Sequence, residues 1–227
     1  MNKVLVLALV LLAFIPEFYA KPRRGLVTRP LETTGSIILS TGVAYCSGDA
    51  WESPFSKSII DGANYDLAIG YRQMFPKGIG FRVNFQRSSY AADDGDGKHH
   101  GVGLYRSATN LYALTARVEQ EYIFGPKYRI YKRNSIYAFF GGGVMQGKVN
   151  YPAGAYVGFP DFRAGVITFG MGYTYNVNRK VFLGAEFTTQ YALTDKVDGY
   201  PLRVKPGTQT FNDAMGNFDI TLGFVLF

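Results

Sequence analysis

The chain has 227 residues, among them 17 Tyr, 18 Phe, one Trp and 27 Gly, with 18% charged residues and a formal net charge of +7. Abundant aromatics and sparse charge exclude a disordered chain, and a single Cys excludes an internal disulfide scaffold. The mean hydropathy of −0.02 fits a soluble β-protein, or a membrane barrel whose greasy and polar faces average out.

Residues 1–20 have the layout of a secretory signal peptide: Lys3, an apolar run over 4–15, then Pro16, Glu17 and the small Ala20. The run is too short for a membrane-spanning helix, and no later run reaches 18 apolar residues. A basic lead segment follows over 21–34. Residues 35–227 then alternate with period two between turn signals, which predicts β-strands.

Strand one sets Ile37, Leu39, Val43 and Tyr45 against Ser36, Ser40, Gly42 and Ala44. Strand two sets Leu67, Ile69 and Tyr71 against Asp66, Ala68, Gly70 and Arg72. Strand three sets Phe81, Val83 and Phe85 against Arg82, Asn84 and Gln86, and strand four sets Leu114, Ala116 and Val118 against Thr115, Arg117, Glu119 and Glu121. Strand five, over 135–148, is irregular, with Tyr137, Phe139 and Phe140 ahead of three glycines. Strand six alternates Phe169, Met171 and Tyr173 with Thr168, Gly170 and Gly172. Strand seven alternates Leu183, Ala185 and Phe187 with Gly184, Glu186 and Thr188, and the last alternates Phe218, Ile220, Leu222 and Phe224 with Asp219, Thr221 and Gly223.

Each predicted strand runs about 10 to 12 residues, where a membrane strand needs about 9 to 11 and a globular one averages about 5 to 6. Bacterial barrels have even strand numbers starting at eight. The expectation is therefore an all-β, eight-stranded antiparallel transmembrane barrel behind a cleavable signal peptide. The connections after strands two, four and six are short (76–78, 125–134, 176–180), while the others are long (47–63, 90–110, 149–163, 192–215). Outer-membrane barrels turn briefly on the periplasmic side and loop at length outside.

The apolar face predicts a lipid belt, with Tyr45, Phe75, Tyr122, Tyr175 and Tyr191 as interfacial girdles. The other face carries Asp66, Arg72, Arg82, Arg117, Glu119, Glu121, Glu186 and Asp219. An eight-stranded barrel is filled by its own side chains, so these charges are expected to form one salt-bridged plug. A pore or proton path is the alternative. Glycines on strands five and six are expected to make room for large neighbours or to allow bending.

Asp93, Asp94 and Asp96 resemble part of a calcium loop but lack its terminal Glu, so a solvated turn is expected, with a weak calcium site as the alternative. His99 and His100 near Ser107 admit a lipid A-modifying enzyme, yet no spacing defines a triad. Cys46 reads as a partly buried thiol or a cross-linking one. No phosphate-cradling loop, zinc spacing or nucleic-acid module stands out. No catalytic residue, metal, cofactor or nucleic-acid partner is expected.

Charge is sorted along the chain. The lead segment and short turns hold Lys21, Arg23, Arg24, Arg29, Lys77, Lys127, Arg129, Lys132, Arg133, Arg179 and Lys180 against Glu32 alone. Two readings of this periplasmic rim stand open: contact with anionic outer-membrane lipid, or docking of a periplasmic protein.

The leader, the eight strands and the aromatic ending over 218–227 resemble small OmpA/OmpX-type barrels. More narrowly, Tyr45-Cys46-Ser47-Gly48-Asp49, Leu183-Gly184-Ala185-Glu186-Phe187 and the order of the rest resemble PorG-type barrels of Bacteroidota. The last strand departs from the common proteobacterial ending, because its apolar residues are out of phase with Phe227. The resemblance implies a non-enzymatic component of the type IX secretion system that contacts a periplasmic PorK/PorN ring. A surface-binding barrel presenting Trp51, Tyr151, Tyr156 and Phe159 is the other reading.

Overall fold

The structure is a computed structural model that describes residues 33–47, 64–76, 78–94, 105–124, 134–150, 161–194, 196–197 and 213–226. The strands are β1 (Thr34–Ser47), β2 (Tyr65–Met74), β3 (Ile79–Asp94), β4 (Tyr105–Phe124), β5 (Asn134–Asn150), β6 (Asp161–Asn176), β7 (Val181–Ala192) and β8 (Ala214–Val225). They form one closed barrel in chain order, all antiparallel, with β8 returning to β1. The expected all-β, eight-stranded antiparallel barrel is the observed fold, with β1 starting at Thr34, one residue ahead of the expected boundary, while the expected signal peptide over 1–20 lies outside the described residues.

Closure follows from the outer surface. Leu67, Ile69, Phe85, Leu114, Val118, Ile136, Phe140, Met171, Phe218 and Ile220 all point outward and are exposed, Val118 by 62% and Ile220 by 63%. Such a belt is stable only in a bilayer, where every backbone group must pair within the protein and no sheet edge survives.

The register sets the tilt. From Tyr173 on β6, paired positions run through Ala185, Ile220, Thr41, Leu67, Arg87, Tyr112 and Gln146 and return to β6 at Arg163. The offset, 173 − 163, is a shear of ten residues. Strands of such barrels lean about 35–45° from the axis. A row of paired residues therefore climbs, from β7 round to β6, toward the end with the long connections.

Two short turns are built locally. Gly78 has φ +77°, a left-handed conformation suited to glycine, and its amide donates to the Phe75 carbonyl at 3.2 Å. In the turn 177–180, the Asn178 side chain accepts the amides of Lys180 at 2.7 Å and Val181 at 2.9 Å.

The strands are not uniform, which corrects the expected lengths. β3 to β6 have 16, 20, 17 and 16 residues, against 14, 10, 12 and 12 for β1, β2, β7 and β8. Residues 90–94, 105–110, 149–150 and 161–163, expected in loops, are strand. The four long strands stand above the belt as a wall, and the two faces exchange character there. Arg87, Gln146, Lys148 and Arg163 face outward, while Tyr90, Leu111, Met145, Val149 and Phe162 are buried inside. Val197, from the segment after β7, is fully buried against them, and its carbonyl accepts the Thr109 hydroxyl at 2.8 Å. Its amide donates to Asp213 Oδ2 at 2.7 Å. Val197 thus packs on the inner face of the wall, tied to both β4 and the residue before β8.

Candidate functional site

The lumen is built in storeys. Arg72, Arg82 and Arg117 stand side by side in one register row across β2, β3 and β4. Three adjacent guanidinium groups in a narrow interior need anions close by. Glu119, two residues along β4, accepts the Nε–H of all three, at 2.6 Å from Arg72, 2.7 Å from Arg82 and 2.9 Å from Arg117. Glu186 reaches in from β7, accepting Arg82 Nη2 at 2.8 Å and Arg117 Nη2 at 2.6 Å. Glu121 lies 3.5 Å from Arg72 Nη2. Six of the eight expected lumen charges thus form one ionic lattice.

Tyr137 completes it, a member that the pattern of charges alone does not reveal. Its hydroxyl donates to Glu186 and accepts Arg82 Nη2 at 3.2 Å. Arg72 and Arg82 lie over its ring at 5.0 and 5.6 Å, and Phe139 takes Arg117 at 3.7 Å. Both rings fit because they lie over their register partners Gly172 and Gly170, where a Cβ would collide with them. A sequence signal exists: Tyr137 and Phe139 share the phase of Ser135, on the polar face, whereas Phe140 faces lipid.

Asp66 and Asp219 correct the expected single plug. They flank Gly42 in one row over β2, β1 and β8, and the Asp219 carboxyl fills the space that a side chain at Gly42 would take. Among the described residues neither makes a salt bridge. Asp66 instead takes hydrogen bonds from Ser88 and from Gln86 at 2.8 Å, and Gln190 donates to Gln86 at 2.6 Å. The reason is position: the arginines lie lower in the lumen, where Glu119 and Glu186 occupy them. Above this acid–amide storey lies the apolar cluster of Ala44, Tyr90, Leu111, Met145, Phe162, Val166 and Met215. Tyr90 ties it down through Asn217 Oδ1 at 3.3 Å.

Of the basic rim, Arg179 and Lys180 are exposed in the turn 177–180, at the same end as the Gly78 turn. Arg23, Arg24, Lys127, Arg129, Lys132 and Arg133 lie outside the described residues, as do Lys21, Arg29 and Lys77. So do His99, His100, Asp96, Trp51, Tyr151, Tyr156 and Phe159. Asp93 and Asp94 are strand residues of β3, paired with Arg106 and Tyr105, which overturns the expected turn at those two positions. Cys46 is partly buried against the apolar cluster. No cluster of His, Cys, Asp or Glu suited to a metal exists among the described residues.

An apolar belt, a closed ring of eight tilted strands and a lumen filled by an ionic lattice define the class: the small eight-stranded outer-membrane-type β-barrel. Solved structures share this fold. NspA of Neisseria matches with a TM-score of 0.55 at 13% identity, over 86% of this chain and 99% of that one. Ail of Yersinia pestis, solved also with the heparin analogue sucrose octasulfate, matches at 0.50 and 14%, over 86% and 100%. A major outer membrane protein of Thermus thermophilus matches at 0.50 and 11%, over 86% and 100%. At these identities the likeness is one of fold. No protein-family model matches the chain, and neither does any curated protein sequence.

Proposed function

We propose that this barrel resides in the bacterial outer membrane, is exported by its signal peptide, and serves as a non-enzymatic membrane anchor for a periplasmic machine. The filled lumen carries the reading. A barrel whose section is crossed by Arg72, Arg82, Arg117, Glu119 and Glu186 in mutual contact is suited to holding a position rather than passing a solute. Its contacts with soluble partners then belong to its two rims. At the short-turn rim, Arg179 and Lys180 are exposed, and the sequence adds Lys127, Arg129, Lys132 and Arg133 with Arg23 and Arg24. Such a rim favours an acidic protein surface. With the resemblance to PorG-type barrels, the partner is the PorK/PorN-type ring of the type IX secretion system.

The test reverses Arg129, Lys132 and Arg133 together to Glu. The variant is expected to insert normally, as judged by heat-modifiable gel mobility, and to lose co-purifying periplasmic partners. Retention of the same partners at raised salt sinks the idea. A surface-binding role is the second reading, favoured by the wall that β3 to β6 raise above the belt. Deleting residues 95–104 would abolish surface binding under that reading and leave ring docking untouched.

A further inference from the structure

A shallow trough of about 550 Å³ runs along the outside of the barrel. Two adjacent outward rows line it. The lower is Leu183, Leu222, Leu39, Ile69 and Phe85, and the upper is Ile220, Thr41, Leu67 and Arg87. Thr41 is shorter than the side chains on either side of it, which makes the dip. Because rows climb from β7 toward β6, the trough slopes, and Arg87 and Phe85 close its upper end.

Arg87 sits at the edge of the lipid belt. On β3 the outward residues are Ile79, Phe81, Val83 and Phe85, then Arg87 and Ser89. At about 3.4 Å per residue and a lean near 40°, Arg87 stands about 20 Å above Ile79. The apolar band of such barrels is about 25 Å tall. Tyr65 and Tyr112 flank the guanidinium, with its carbon 5.9 and 5.7 Å from their ring centres. Two aromatic neighbours hold the guanidinium in place, and its planar fork of N–H donors suits a bidentate anion partner. Lys148 and Arg163 continue the basic surface higher on the wall, with Asp161 opposite Lys148.

We propose that the trough and Arg87 bind one phosphorylated, acylated lipid of the outer leaflet, with an acyl chain along the trough and a phosphate on Arg87. An apolar slope open to the bilayer accepts a chain, and a cation at its top, level with the headgroups, accepts the phosphate. A soluble protein does not reach a trough inside the apolar belt, whereas a lipid of the surrounding leaflet lies against it. The inference rests on the outer-membrane placement alone and is independent of what docks on the opposite rim.

The full-length barrel is purified in detergent and examined by native mass spectrometry with bis-phosphorylated lipid A, dephosphorylated lipid A or inorganic phosphate. The expected result is retention of one phosphorylated lipid and no adduct from free phosphate. Arg87→Gln is expected to cut retention at least about tenfold. Thr41→Trp, which fills the trough with Arg87 intact, is expected to cut it as well. Both variants face lipid, and heat-modifiable mobility checks that they fold. Equal retention of the dephosphorylated lipid, or unchanged retention in both folded variants, overturns the site. A chain that fails to fractionate with the outer membrane would instead overturn the placement.

Discussion

Replacing Glu119 by Gln removes the one carboxylate shared by three arginines. Glu186 still holds Arg82 and Arg117, but Arg72 keeps only the looser 3.5 Å contact with Glu121 and its place over the Tyr137 ring. The local balance changes from three cations and three anions to a net positive charge. Removing one partner of a buried pair costs about 3–5 kcal/mol. The amide oxygen of Gln still accepts one hydrogen bond, worth about 1 kcal/mol. The net loss is about 2–4 kcal/mol. Asp219→Asn, on a carboxylate equally enclosed, should behave in the opposite way. It replaces a buried carboxyl in the row of Asp66 with a neutral amide that can donate, and Asp66 Oδ2 has no hydrogen-bond partner. Its expected effect is neutral or a gain of about 1 kcal/mol. Both are read from urea unfolding of the refolded full-length protein in detergent, followed by far-UV circular dichroism. If Glu119→Gln stays within about 0.5 kcal/mol of wild type, or Asp219→Asn costs as much, the division into a paired storey and an unpaired one is wrong.

Gly172→Ala drives a Cβ into the Tyr137 ring and should cost about 1–3 kcal/mol, whereas Gly165→Ala meets only the flexible tip of Leu193 and should be tolerated. The same unfolding curves compare the two. Asp213→Ala deletes the acceptor of the Val197 amide. It should speed hydrogen exchange at Val197 and lower stability by about 1–3 kcal/mol, while exchange in the β1–β2 ladder stays as in wild type.

The barrel itself is legible because β8 and β4 alternate strictly, and lipid on one side with a polar lumen on the other enforces that alternation. The tall wall is not. On β5, Val144 faces outward and the next residue, Met145, is buried inside, after which Gln146 and Lys148 face out. The apolar phase flips at that step, since above the belt water lies outside and the apolar cluster with Val197 lies inside. A reading that holds one phase sees the strand fail where it continues. The flip itself is the signal that marks where lipid ends. For the lumen, composition and parity identify all eight charges, but parity says nothing of height. Sequence alone therefore groups Asp66 and Asp219 with arginines whose row lies below theirs. Tyr137 escapes because an aromatic residue in a membrane strand ordinarily prefers lipid, and only its Gly172 partner makes room inside.

The division of labour among strands bears on how the ring holds together. Arg72, Arg82, Arg117, Glu119, Glu121, Tyr137 and Glu186 come from β2, β3, β4, β5 and β7. Neither β1 nor β8, the two strands that meet at the seam, supplies a member. Joining them from Ser36–Val225 to Ser47–Ala214 gains ladder bonds and apolar contact, and it sets Asp219 and Asp66 on either side of Gly42. The electrostatic lattice thus reinforces five strands and leaves the seam between β1 and β8 to ladder bonds and apolar contact alone.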